Sequence, residues 1–60
     1  MKITRREKAL IRQHWSHLYR VKFMADGTVM AQKANGSPFG ILYNPYETER
    51  HLQTIRKERN

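Results

Sequence analysis

Arg20, Lys22 and Lys33 are the residues of this 60-residue chain whose type and spacing point most directly to chemistry. Arg20 and Lys22 are two apart, so on any β-strand they share a face. A tight turn at Asp26-Gly27 would bring Lys33 across from Arg20 on the next strand. Guanidinium and ammonium groups bind anions. Like charges held directly opposite each other repel, and an anion between them removes that penalty. Arg5, Arg6 and Arg12, with Lys2 and Lys8, form a second cationic group at the N-terminal end of an expected helix, against its dipole. Twelve Lys and Arg against five Asp and Glu give a formal net charge of +7, which attracts polyanions. Nucleic acid is the first partner this balance suggests, and an acidic protein surface the next.

Other chemistries find little support. The chain has no Cys, so neither a disulfide nor a thiolate metal site can staple it. His14 and His17 are three apart, but His51 is distant in sequence, and three His without Cys make a poor zinc set. There is no Ser/His/Asp arrangement with helpful context and no glycine-rich phosphate loop after a strand. Glu7 and Glu47 are assigned to helix caps and Asp26 to a turn, so no two carboxylates are placed to face each other for acid/base work. Non-enzymatic action without a cofactor or metal is expected. No apolar run is long enough to span a bilayer, so no membrane partner is expected. The N-terminus, Met1 to Glu7, is charged with no apolar h-region after it, so a bacterial-type cytoplasmic location fits, as does any reducing compartment.

These side chains must be positioned by a single small domain spanning residues 1–60, near the lower size limit for a self-sufficient core. Thr4-Arg5-Arg6-Glu7 reads as a capping box, and Leu10, Ile11, His14, Trp15 and Leu18 follow at helical spacing. A helix over about 5–17 is predicted, with Trp15 as the alternative start of the first strand. Asp26-Gly27 and Asn35-Gly36, nine residues apart, are flanked by apolar/polar alternation and predict two type I′ hairpin turns. They predict strands over about 18–25, 28–34 and 37–43. Two-residue turns would set Phe23 opposite Met30, Val21 opposite Gln32 and Met30 opposite Ile41. Tyr19, Val21, Phe23, Met30, Phe39, Ile41 and Tyr43 would then form the apolar core face. Gln32 is the misfit there and needs a hydrogen-bond partner. The opposite face would carry Arg20, Lys22, Met24, Val29, Ala31, Lys33, Pro38, Gly40 and Leu42, with no acid. Asn44-Pro45-Tyr46-Glu47 combines an N-cap, Pro at N1 and Glu at N3, and predicts a helix over about 45–58. Glu47 and Glu49 near its start, and Arg56, Lys57 and Arg59 near its end, complement its dipole. The fold class is α+β: an α-β-β-β-α order, with the C-terminal helix on the apolar face of an antiparallel meander.

The stretch from Tyr19 to Ile55, with its turns at Asp26-Gly27 and Asn35-Gly36 and the helix opening at Asn44-Pro45, resembles small sheet-type DNA-binding domains. These are the arm-binding domains of tyrosine recombinases and the plant ethylene-response-factor domains. The resemblance is one of architecture. It implies insertion of the sheet into the major groove, with Arg20, Lys22 and Lys33 on the DNA and Arg5, Arg6 and Arg12 adding phosphate contacts. The full α-β-β-β-α order also resembles double-stranded-RNA-binding domains, whose pattern has a lysine cluster at the start of the last helix. Here that position reads Pro45-Tyr46-Glu47-Thr48-Glu49, which places duplex DNA ahead of RNA. The expectation is a DNA-binding accessory or regulatory protein. The alternative is an interaction or inhibitor module that docks on an acidic protein through the Met24/Val29/Leu42 face, or forms a homodimer through that face or a sheet edge.

Overall fold

The computed structural model describes residues 2–58; Met1, Arg59 and Asn60 lie outside the described residues. The order is α1 (Arg5–His14), β1 (Arg20–Phe23), β2 (Val29–Gln32), β3 (Gly40–Tyr43) and α2 (Pro45–Glu58). The strands form one antiparallel sheet in the order β1-β2-β3. The α+β meander with flanking helices is therefore as the sequence predicts. Among the described residues no helix is long and apolar enough to cross a membrane.

Both helices start where their local chemistry directs. The Thr4 side chain accepts from the Glu7 N–H at 3.2 Å, and the Glu7 carboxylate accepts from the Thr4 N–H at 3.0 Å, satisfying two donors that a helix start leaves free. Asn44 and Glu47 repeat the device on α2, at 2.8 and 3.0 Å. α1 ends at His14 with Trp15 as its C-cap, three residues short of the expected end.

The turns fall where expected but are of another type, and one of them moves the register. A type I′ turn needs φ > 0 at both central residues. Here Gly27 (φ 100°) and Gly36 (φ 88°) are left-handed, while no other described residue has positive φ. In the first hairpin the Gly27 N–H donates to the Met24 carbonyl and the Met24 N–H to the Thr28 carbonyl. The connection is thus a three-residue loop, a type I turn followed by a left-handed glycine. The extra loop residue pairs Phe23 with Val29, Val21 with Ala31, Lys22 with Met30 and Arg20 with Gln32. β1 and β2 are therefore offset by one position from the expected pairing. A one-residue offset exchanges the faces of a strand. Val29 and Ala31 join Val21 and Phe23 on the inner face, and Met30 and Gln32 join Arg20 and Lys22 on the outer one.

The second pairing keeps the expected Met30–Ile41 match. Ile41 follows Met30 outward and is 69% exposed. The register shifts between Met30 and Val29, so that Tyr43 pairs with Val29 and Leu42 is left as the extra residue. Pro38 cannot donate to a ladder, and strand pairing resumes only at Gly40. Gln32 satisfies itself by donating from Nε2 to the Ser37 carbonyl at 2.8 Å.

The core is small. Ile11 of α1, Val29 of β2, and Leu52 and Thr48 of α2 are almost fully buried. The Thr48 hydroxyl donates to the Asn44 carbonyl, which removes the cost of burying it. Trp15 Nε1 donates to the Tyr43 hydroxyl at 2.9 Å, and His51 stacks on Tyr43 with ring centroids 5.2 Å apart. α1 and α2 are tied by a contact the sequence did not suggest. Arg56 Nε donates to Glu7 Oε2 at 2.6 Å and Nη2 to Oε1 at 3.2 Å. Arg56 is therefore a structural partner, where the sequence suggests a dipole-matched, solvated side chain.

Candidate nucleic-acid interface

Both helices contact the sheet through its inner face. α1 reaches Phe23 through Lys8 and Arg12, and α1 and α2 enclose Tyr43 through Trp15 and His51. The outer face carries Arg20, Lys22, Met30, Gln32 and Ile41, set by the pairing of the three strands. Arg20 and Lys22 are exposed. The Lys22 ammonium lies 4.9 Å from the Phe39 ring centroid and the Arg20 guanidinium 5.8 Å from that of Tyr19. Such contacts orient a cation while leaving its charge unneutralised.

Lys33 does not join them. The offset between β1 and β2 sets Arg20 opposite Gln32, so the expected repulsion of Lys33 and Arg20 does not arise. Lys33 follows the last residue of β2 and lines a groove with Trp15, His17, Leu18 and Pro38. The N-terminal cations also divide. Arg5, Lys8 and Arg12 fall along one side of α1, and Lys8 and Arg12 both reach the Phe23 ring. Arg6 lies instead in the crease between the helices, with Leu10, His14 and Glu58. Of the six residues expected to bind, Arg20, Lys22 and Arg12 gather about β1, with Arg5 at the start of the same helix face. Arg6 and Lys33 are directed elsewhere. Lys8 belongs to the cluster without having been assigned a contact. Its i, i+4 spacing to Arg12 is the sequence signal that links them.

The electrostatics favour an anion at β1. Among the described residues, Arg56 is the one Lys or Arg within ion-pair distance of a carboxylate. Its partner Glu7 is held at a pKa of about 2 by the Arg56 hydrogen bonds first and the Thr4 N–H second, against the opposing effect of burial. Asp26, the one acid of the meander, accepts from the Thr28 N–H at 2.9 Å, and that bond lowers its pKa. The carboxylate is therefore committed to its turn. His14 and His51 approach to 6.2 Å between ring centroids, but no group of three metal-ligating side chains occurs among the described residues.

The arrangement offers a helix-free sheet surface with two oriented cations, one amide, the apolar Met30 and Ile41, and the Phe39 ring beside Lys22, while further cations on α1 meet β1 from the inner side. Comparison with protein-family models, curated proteins and solved structures finds no match for this chain.

Proposed function

We propose that this chain binds duplex nucleic acid, DNA in preference to RNA, as a non-enzymatic accessory or regulatory protein, and that it lays the outer face of its sheet in the major groove. The observation that carries the reading is the uncovered outer face, with Arg20 and Lys22 exposed on it and no acidic side chain among its described strand residues. Two inter-strand spacings of about 4.8 Å give a three-stranded sheet roughly 10 Å wide between its outer backbones, which suits a groove about 12 Å wide. Arg20 and Lys22 supply groove or phosphate contacts, Gln32 an amide for a base edge, and Met30 and Ile41 apolar contact with thymine methyls.

The test is anisotropy of a labelled random-sequence duplex titrated at increasing salt. Each neutralised phosphate contributes about 0.9 to the slope of log K against log salt. Arg20→Gln with Lys22→Gln should lower the slope by roughly 2 and leave the melting temperature near that of the parent. Absence of binding at low salt, or an unchanged slope, defeats the reading.

One observation favours a second reading. Ile41 is 69% and Met24 41% exposed, which suits docking on an acidic protein surface. Val29, expected on that surface, is fully buried, and Leu42, also expected there, is half-buried as the extra residue of the β3 bulge, so Met24, Met30 and Ile41 would carry such a contact.

A further inference from the structure

Lys8 and Arg12 stand one helical turn apart on α1 and converge on the same ring. The Lys8 ammonium is 5.7 Å and the Arg12 guanidinium 4.9 Å from the Phe23 centroid. Neither has a carboxylate within ion-pair distance among the described residues. Like charges at this helical spacing repel, and a ring quadrupole does not neutralise them. Lys2 and Lys8 line a hollow with Phe23 and Met24 at the same end of β1. Phe23 faces inward and its neighbour Lys22 outward. β1 is an edge strand, so one strand separates the cations on the helix side from Arg20 and Lys22 on the outer side.

We infer that the β1 edge is the seat of a phosphodiester ridge, with Lys8 and Arg12 gripping it from the helix side. This rests on the duplex reading and fixes an orientation within it. A sheet lying in a groove is flanked by two sugar–phosphate rims. The rim next to β1 rises over its edge at Phe23 and Met24 and meets Lys8 and Arg12, with Lys2 beside them. The Arg12 fork matches two phosphate oxygens and Lys8 acts as a point charge. The opposite edge, at β3, presents Pro38, Leu42 and Trp15 with Lys33 as the one cation of that groove, and so carries less charge than the β1 edge.

The test compares the parent with a Lys8→Gln/Arg12→Gln variant, with Arg20→Gln/Lys22→Gln, and with the charge-conserving Lys8→Arg/Arg12→Lys, each checked by thermal melt. Salt titrations on a random duplex should show the slope reduced by roughly 2 in the Lys8/Arg12 glutamine variant and restored in the charge-conserving one. A parental slope in that glutamine variant, alongside a reduced slope in the Arg20/Lys22 variant, overturns the ridge seat while the duplex reading stands. If the parent binds no duplex, the duplex reading and the ridge seat on it both fall. Titration with inorganic tripolyphosphate, followed on the Phe23 ring protons by NMR, then reads the anion site alone. Shifts that vanish in the Lys8/Arg12 glutamine variant uphold it, and their absence in the parent overturns it.

Discussion

Replacing Glu7 by Gln should cost about 2 kcal/mol at neutral pH, and it should abolish most of the acid sensitivity of the fold. The Glu7 carboxylate is 2% exposed and receives both Arg56 donors and the Thr4 N–H. Its pKa falls from the ordinary 4.5 to about 2. At about 1.4 kcal/mol per pH unit, that gap sets a ceiling of about 3.5 kcal/mol. Arg56 is 51% exposed, so water screens the pair, and about 2 kcal/mol is the fair figure. Because the folded-state value lies below the unfolded one, this stability is fully present above about pH 4.5 and is lost as the pH falls toward about 2. Glutamine can still accept from the Thr4 N–H through its carbonyl oxygen, so the capping box survives and the ion pair alone is removed. A domain of this size holds roughly 3–9 kcal/mol in total. A 2 kcal/mol loss should therefore lower the melting temperature by roughly 15 °C. The assay is thermal and urea unfolding by circular dichroism between pH 7 and pH 2. If parent and variant lose the same stability between pH 5 and pH 2, the ion pair does not govern the acid limb.

Two further outcomes probe the register and the histidine pair. Val29→Asn should unfold the domain or cost more than about 3 kcal/mol, while Ile41→Asn should change stability by about 0.5 kcal/mol or less; a larger loss for Ile41→Asn than for Val29→Asn in urea unfolding would mean that the expected two-residue register is the true one. The His51 pKa is lowered by burial first and by the charge on His14 second, with Glu58 opposing. His14→Gln should therefore raise the His51 midpoint toward, but not to, the ordinary histidine value, as followed by its ring protons in NMR. Because that midpoint is depressed, the contribution of His51 to stability is present above the ordinary histidine range and declines as the pH falls through it.

The helix starts were legible because capping is local: Thr4 with Glu7, and Asn44 with Pro45 and Glu47, act within four residues. The positions of both turns were legible for the same reason. Their type was not, because Asp-Gly serves a two-residue turn and a three-residue loop equally well, and the difference of one residue decides which face each side chain takes. Val29-Met30-Ala31 is apolar at every position, so β2 could not arbitrate. Arg20 and Lys22 survive the offset because they lie on one strand and share a face in any register. Lys33 lies beyond the turn and changed sides with it. The meeting of Lys8 and Arg12 on Phe23, and of Glu7 with a residue 49 positions away, depends on how helices dock, which no short-range pattern encodes.

The crowding of cations about β1 also bears on association between copies. An open outer strand is a template onto which another chain can add. Here the β1 strand of an identical molecule, arriving alongside Arg20 and Lys22, meets like charge on both sides of the sheet. At the other border, Pro38 and the unpaired Leu42 interrupt the ladder. The domain thus guards itself against aggregation with the residues it would use on a polyanion, and variants stripped of those charges need to be handled dilute.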